Sequence, residues 1–135
     1  MDKVFLDANV LFSAAYRQDS RLTDLWSLDQ VELVTSRLAL EEARRNLAAH
    51  RPSALLRLEE LCNVITIINI SESSLPDEID IADKDAPILA AALHAQCSHL
   101  VTGDCQHFGV FFGTSVHGVL VLTPAQYLNS RKSTQ

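Results

Sequence analysis

The stretch KVFLDANVLF, residues 3–12, decides the fold. Val4-Phe5-Leu6 is short and apolar, mixes β-branched and aromatic residues, and contains no turn former, so it predicts a strand. The strand runs directly into Asp7. An ionised carboxylate beside such a run is costly unless a cation meets it or water reaches it. Asp7 is therefore either a strand-ending turn residue, a common place for aspartate, or a carboxylate with a task.

Working outward from this strand, the chain alternates. Val10–Leu28 reads as largely helical with a break near Asp19-Ser20, and Val31–Val34 as a second strand. From Arg37 to His50 the residues Leu38, Leu40, Ala43, Leu47 and Ala48 recur at helical spacing. Pro52 opens another helix, carrying Leu55, Leu56, Leu58 and Leu61. Val64–Ile68 is continuously apolar, as buried parallel strands are. Asp85–Gln96 reads as a helix, His99–Thr102 and Val119–Leu122 as strands, and Thr123-Pro124 as the start of a terminal helix. Strands alternating with helices predict an α/β fold, a three-layer α/β/α sandwich around a mostly parallel five-stranded sheet. Residues 1–130 read as one domain and 131–135 as a polar tail.

Composition narrows the function. Across 135 residues, 47% are apolar and 21% charged, ordinary for a soluble globular chain. No apolar run approaches the roughly 18 residues that span a bilayer. The N-terminus, with Asp2 and no long apolar segment, does not read as a signal peptide. Cys62, Cys97 and Cys105 form no CxxC pair and fit reduced thiols, which points to the cytoplasm and away from membranes. The net charge of −6 argues against nucleic-acid binding through the bulk field. A polyanionic substrate would need a local basic patch, bound cations or a partner. Arg37, Arg44, Arg45, Arg51 and Arg57 are the patch candidates, or else a solvated helix face.

In open parallel sheets, ligands bind beyond the carboxyl ends of the strands. Asp7 stands at one such end and Asp104, after Thr102-Gly103, at another. Glu41 and Glu42 follow the second strand on the helix that Ser36 caps, and only one of them can face a given cleft. Glu42 adjoins the Ala43 stripe. Asp83 and Asp85 open the later helix. Singly, each has an ordinary explanation as cap, turn or solvated surface. Gathered at one sheet edge, they would repel unless cations such as Mg²⁺ or Mn²⁺ held them. Two such ions can activate a water and stabilise a leaving oxygen in phosphodiester cleavage.

Asp7 within LDANVLFSA, Ser36–Glu42 followed by Leu47, the segment Asp83–Ala92, and Leu100-Val101-Thr102-Gly103-Asp104 together resemble the ordered acidic motifs of PIN domains. The resemblance spans nearly the whole chain. It implies a metal-dependent ribonuclease, often the toxin of a VapBC-type toxin–antitoxin pair and often a homodimer. Carried over, Asp7, Glu42, Asp85 and Asp104 hold Mg²⁺ or Mn²⁺ and form the catalytic set. Asn9 and Thr102 orient the first carboxylate and the bound water, and Asp83 is a further outer acid. Arg37, Arg44 and Arg45 are the candidate RNA contacts. The implied partners are RNA and an antitoxin protein. One departure stands out. His107 occupies a place where many relatives carry a further aspartate, and it reads as a metal ligand suited to Mn²⁺, an acid or base, or a surface residue. The rival to the enzyme is a catalytically degenerate PIN-like interaction module. A receiver domain lacks its acceptor aspartate after the third strand, and a dehalogenase-type phosphatase lacks the second aspartate, since Asn9 stands there.

Overall fold

The computed structural model describes residues 1–17, 19–69 and 86–132. Strand β1 (Asp2–Leu6) lies between two parallel neighbours, β2 (Val31–Ser36) and β4 (His99–Val101). Phe5 sits opposite Val34 on one side and Leu100 on the other. A strand paired on both edges and covered on both faces has no solvated side, which is why Val4, Phe5 and Leu6 are all apolar and fully buried. The remaining strands are β3 (Thr66–Ile68), β5 (Ser115–Val116) and β6 (Val119–Leu122), and the order is β3-β2-β1-β4-β6-β5.

The sheet thus has six described strands rather than the expected five. The sixth is β5, two residues running antiparallel to β6. Its turn places both His117 (φ 49°) and Gly118 (φ 90°) in the left-handed region, the geometry that two-residue hairpins with native twist require. A two-residue strand carries no periodicity to read. The third strand also differs from its expectation. It spans only Thr66–Ile68, with Val64 in the turn before it; Val64 and Ile67 are exposed, and β3 lies at the sheet edge, paired among the described residues only with β2.

Alternating side chains divide the core into two. Val4, Leu6, Leu33, Val101 and Leu122 point to one face, and Phe5, Val34, Leu100, Val119 and Val121 to the other. Helices α1 (Ala8–Tyr16), α2 (Arg37–His50) and α3 (Leu55–Cys62) cover the first face. A 3₁₀ helix (Arg21–Ser27) packs there too, capped by Ser20 at the expected break. Trp26 packs against this core and donates its indole N–H to Leu61 O at 2.9 Å. Helices α4 (Ala86–His94) and α5 (Cys105–Phe108) back the second face. Two helical layers enclosing one sheet form the expected sandwich.

The last helix, α6 (Pro124–Lys132), opens with a reciprocal cap. Thr123 Oγ1 accepts from Gln126 N, and Gln126 Oε1 accepts from Thr123 N. It continues two residues into the segment read as a tail. Buried Tyr127 donates to Asp2 Oδ2 at 2.8 Å, and Arg131 Nη1 reaches the same oxygen at 3.3 Å.

This topology positions the site. The chain leaves β1 toward β2 on one side and later returns to β4 on the other. Between the carboxyl ends of β1 and β4 the connections diverge and leave a crevice.

Candidate functional site

Asp7 is the first residue beyond β1, at the mouth of that crevice. Its backbone N–H still pairs with Val101 O at 3.1 Å, so β4 extends the grip on the strand end. Its side chain caps α1, with Oδ1 accepting from Ala8 N at 2.7 Å. The other oxygen, Oδ2, accepts from Thr102 Oγ1 at 2.8 Å and from Asn9 Nδ2 at 3.2 Å. Thr102, fully buried at the end of β4, is a hub: it also accepts from Asn9 Nδ2 (3.2 Å) and from Asp104 N (3.1 Å). Asn9 closes the ring, its Oδ1 accepting from Gly103 N at 2.7 Å. A Cβ on Gly103 would lie 3.2 Å from that oxygen, so the close approach favours glycine. The two strand ends are thereby tied into one rigid unit.

Three carboxylates face one cavity beside this unit. Asp7, Glu42 and Asp104 line one cavity of about 470 Å³, together with Ala8, Asn9, Phe12, Asn46, His50 and Ile88. Among the described residues, neither a lysine nor an arginine lines it. Burial raises the Asp7 carboxyl above its ordinary 3.8; the hydrogen bonds from Thr102 and Ala8 oppose this, and the charges of Glu42 and Asp104 add to it. Glu42 projects from α2, whose start is fixed by Ser36 Oγ accepting from Ala39 N at 3.1 Å.

Asp104 is handled differently. Burial would raise its carboxyl too, but the hydrogen bonds from the side chain and backbone N–H of His107 prevail and hold it below the ordinary value. His107 Nδ1 stands 2.6 Å from Oδ2, and its backbone N–H donates to Oδ1 at 3.1 Å. His107 is therefore no plain surface histidine, since its ring is largely covered and bound to the carboxylate.

Of the residues singled out in the sequence, the structure brings together Asp7, Asn9, Glu42, Thr102 and Asp104. Asp83 and Asp85 lie outside the described residues. Among the described residues no group of three His, Cys, Asp or Glu side chains is close enough to enclose a metal ion. Leu38, part of the apolar pattern, is exposed. Arg37, Arg44 and Arg45 do not line the cavity. At about 100° per residue they lie roughly 100–180° around α2 from Asn46. Arg37 pairs instead with Glu41 at 3.5 Å on the open surface.

Five lining residues are not among the sequence's candidates: the apolar Ala8, Phe12 and Ile88, and the polar pair Asn46 and His50. Asn46 and His50 follow Glu42 at four-residue steps, one face of a helix. The 42/46/50 spacing was the available signal, but a polar stripe on an amphipathic helix reads as solvated surface until another element packs beside it.

No curated protein sequence matches the chain. Among solved structures, a chain of VapBC2 from Rickettsia felis, bound to a DNA fragment from their promoter, superposes with a TM-score of 0.69. It shares 15% identity, over 90% of this chain and 98% of that one. VapC20 from Mycobacterium tuberculosis, a sarcin-ricin loop cleaving toxin, has a TM-score of 0.58 at 14% identity, over 76% of this chain and 91% of that one. At such identities the likeness concerns the fold. The sequence itself matches the PIN domain over residues 3–106, from β1 through the start of α5. With the match covering most of its length and the carboxylates at the crevice the fold creates, the chain belongs to the PIN domain family.

Proposed function

We propose that this protein is a metal-dependent endoribonuclease, the toxin of a toxin–antitoxin pair, which hydrolyses RNA phosphodiester bonds. One observation carries the reading: Asp7, Glu42 and Asp104 line a single cavity, and no lysine or arginine among the described residues lines it. Oxygen donors of this kind suit a hard divalent cation. Asp7, Glu42 and Asp104 would hold Mg²⁺ or Mn²⁺, and Asp85 is proposed as the fourth ligand, with Asp83 outside it. When bound, such an ion lowers the pKa of a water and offsets charge on the phosphate.

The chain's own residues preorganise this. Ala8 N fixes one Asp7 oxygen and Thr102 with Asn9 the other, so the carboxylate cannot rotate. Asn9 and Thr102 are its positioning residues. Phe12 and Ile88 give the cavity an apolar side that limits bulk water. The fold likeness to a chain of VapBC2 and to VapC20 supports an antitoxin partner and an RNA substrate. The same reading makes the protein a cytoplasmic homodimer. The free thiols of Cys62, Cys97 and Cys105 suit a reducing compartment, and no described helix is long and apolar enough to cross a membrane.

One feature favours the degenerate interaction module: His107 binds both oxygens of Asp104. Calorimetric titration of Mn²⁺ into wild type and Asp7→Asn, beside an RNA cleavage assay, separates the readings. The enzyme requires millimolar or tighter binding and cleavage, both abolished in Asp7→Asn. In metal-free buffer that variant is expected to stay folded within about 1 kcal/mol of wild type, because relief of repulsion from Glu42 and Asp104 is offset by an amide N–H₂ facing donors that now bond a carboxylate oxygen. Absent binding and cleavage in a folded wild type would leave the interaction module.

A further inference from the structure

Glu42, Asn46 and His50 form one stripe along α2, and all three line the cavity that contains Asp7 and Asp104. The carboxylate end of the cavity accounts for Glu42. The other two, Asn46 and His50, are exposed on the outer turns of the helix. Across from them, α1 contributes Ala8 and Phe12 to the same cavity. The Phe12 ring meets the His50 ring edge-on, with centroids 6.3 Å apart at 88°. Phe12 continues to Tyr16, whose centroid is 5.3 Å away. The Arg51 guanidinium lies 5.2 Å over the Tyr16 ring, steadied by Nη1 donating to Tyr16 O at 2.7 Å.

Read from the carboxylates outward, the α1–α2 wall offers an amide, an imidazole supported by an aromatic ring, a second aromatic ring, and a cation. We propose that this wall is a binding track for single-stranded RNA. An unpaired base rests against His50 and Phe12, Asn46 reads a base edge, and Arg51 meets the neighbouring phosphate. The inference rests on the ribonuclease reading and extends it from the cutting site to the residues that hold and select the strand.

Three observations carry it. A chain with net charge −6 gains little from bulk attraction to phosphate, whereas stacking of bases on aromatic faces does not depend on net charge. An amide presents both donors and an acceptor, the pattern needed to read the splayed-out bases of unpaired RNA. A cavity of about 470 Å³ falls within the small-ligand range of roughly 300–1,000 Å³, room for a nucleotide and too small for a duplex.

The test is fluorescence anisotropy with a short, labelled, mixed-sequence single-stranded RNA in EDTA, where cleavage is suppressed, with Mn²⁺ calorimetry in parallel. His50→Ala is expected to weaken RNA binding about tenfold, and His50→Tyr, which keeps a ring, to bind close to wild type. Asn46→Ala is expected to alter the ranking of oligo(A), oligo(C), oligo(G) and oligo(U) probes. The slope of log affinity against log salt is expected to be shallow, about −0.7 for each phosphate neutralised and no steeper than about −2 in all. Mn²⁺ binding is expected to persist in every variant. Undiminished RNA affinity in His50→Ala, failure of His50→Tyr to recover it, a steep salt slope, or no RNA binding by wild type would each overturn the inference. Loss of the ribonuclease reading looks different: wild type then binds no Mn²⁺ and cleaves no RNA. Cleavage that keeps its KM in His50→Ala removes only the track.

Discussion

Replacing Thr102 by valine tests how the site is held together. The side chain is fully buried and nearly isosteric with valine, so the change deletes one hydroxyl and little volume. That hydroxyl donates to Asp7 Oδ2 at 2.8 Å and accepts from Asn9 Nδ2 and Asp104 N. A hydrogen bond to a charged group contributes about 1.5–3 kcal/mol net, and a neutral one about 0.5–1.5. Asp7 keeps Asn9 and Ala8 as donors, and Asp104 N lies near enough to solvent to find water, while the added methyl recovers some apolar contact. The net loss is about 2–3 kcal/mol. Urea denaturation in EDTA measures it as a lowered midpoint at unchanged slope. Without the hydroxyl, Asp7 Oδ2 loses its shortest bond, so Mn²⁺ affinity is expected to fall as well. A loss below about 0.5 kcal/mol with undiminished Mn²⁺ binding would refute the view that Thr102 is the hub.

Two further outcomes are expected. Gly103→Ala places a Cβ 3.2 Å from Asn9 Oδ1 and pushes Asn9 off the backbone N–H it accepts from, so stability falls by about 1 kcal/mol; urea midpoints check it, and an unchanged midpoint would show that Asn9 yields freely. His99, on β4, has its pKa lowered from 6.5 chiefly by burial, Asp2 opposing the shift and Arg131 adding to it. Its ring also stacks edge-on against Tyr127 and meets Ser98 Oγ at 2.8 Å. The unfolded chain therefore takes up the proton first. The stability owed to neutral His99 is complete above pH 6.5 and is lost as pH falls through the lower, folded value. Thermal melts between pH 7 and 5 are expected to show this decline, and a His99→Gln variant to flatten it.

The sequence read alone and the folded chain divide the explanation between them. Local pattern was enough for β1 with Asp7 at its end, for α2 with its Ser36 cap, and for the alternation that makes a parallel sheet, because each depends on residues within one or two turns of each other. The capping box at Thr123 and Gln126 was half visible, as Thr123-Pro124. Strand β3 was misjudged because an apolar run records β propensity but not whether a neighbour pairs with it. The two residues of β5 were too few to leave a pattern.

The site shows the same division more sharply. Aspartates at strand ends are legible, since a carboxylate interrupting an apolar run has few explanations. The ring of Asp7, Asn9, Thr102 and Gly103 spans about 95 residues of sequence between its two halves, and only the parallel pairing of β1 with β4 closes it. Asn46 and His50 look like solvent-facing helix until α1 packs beside α2 and brings Phe12 next to them. The hold of His107 on Asp104 depends on a helix of one turn. What each residue is able to do follows from its chemistry, which the sequence states outright. Which residues act together follows from strand order, because pairing distant segments is a property of the whole chain's burial and of no local stretch.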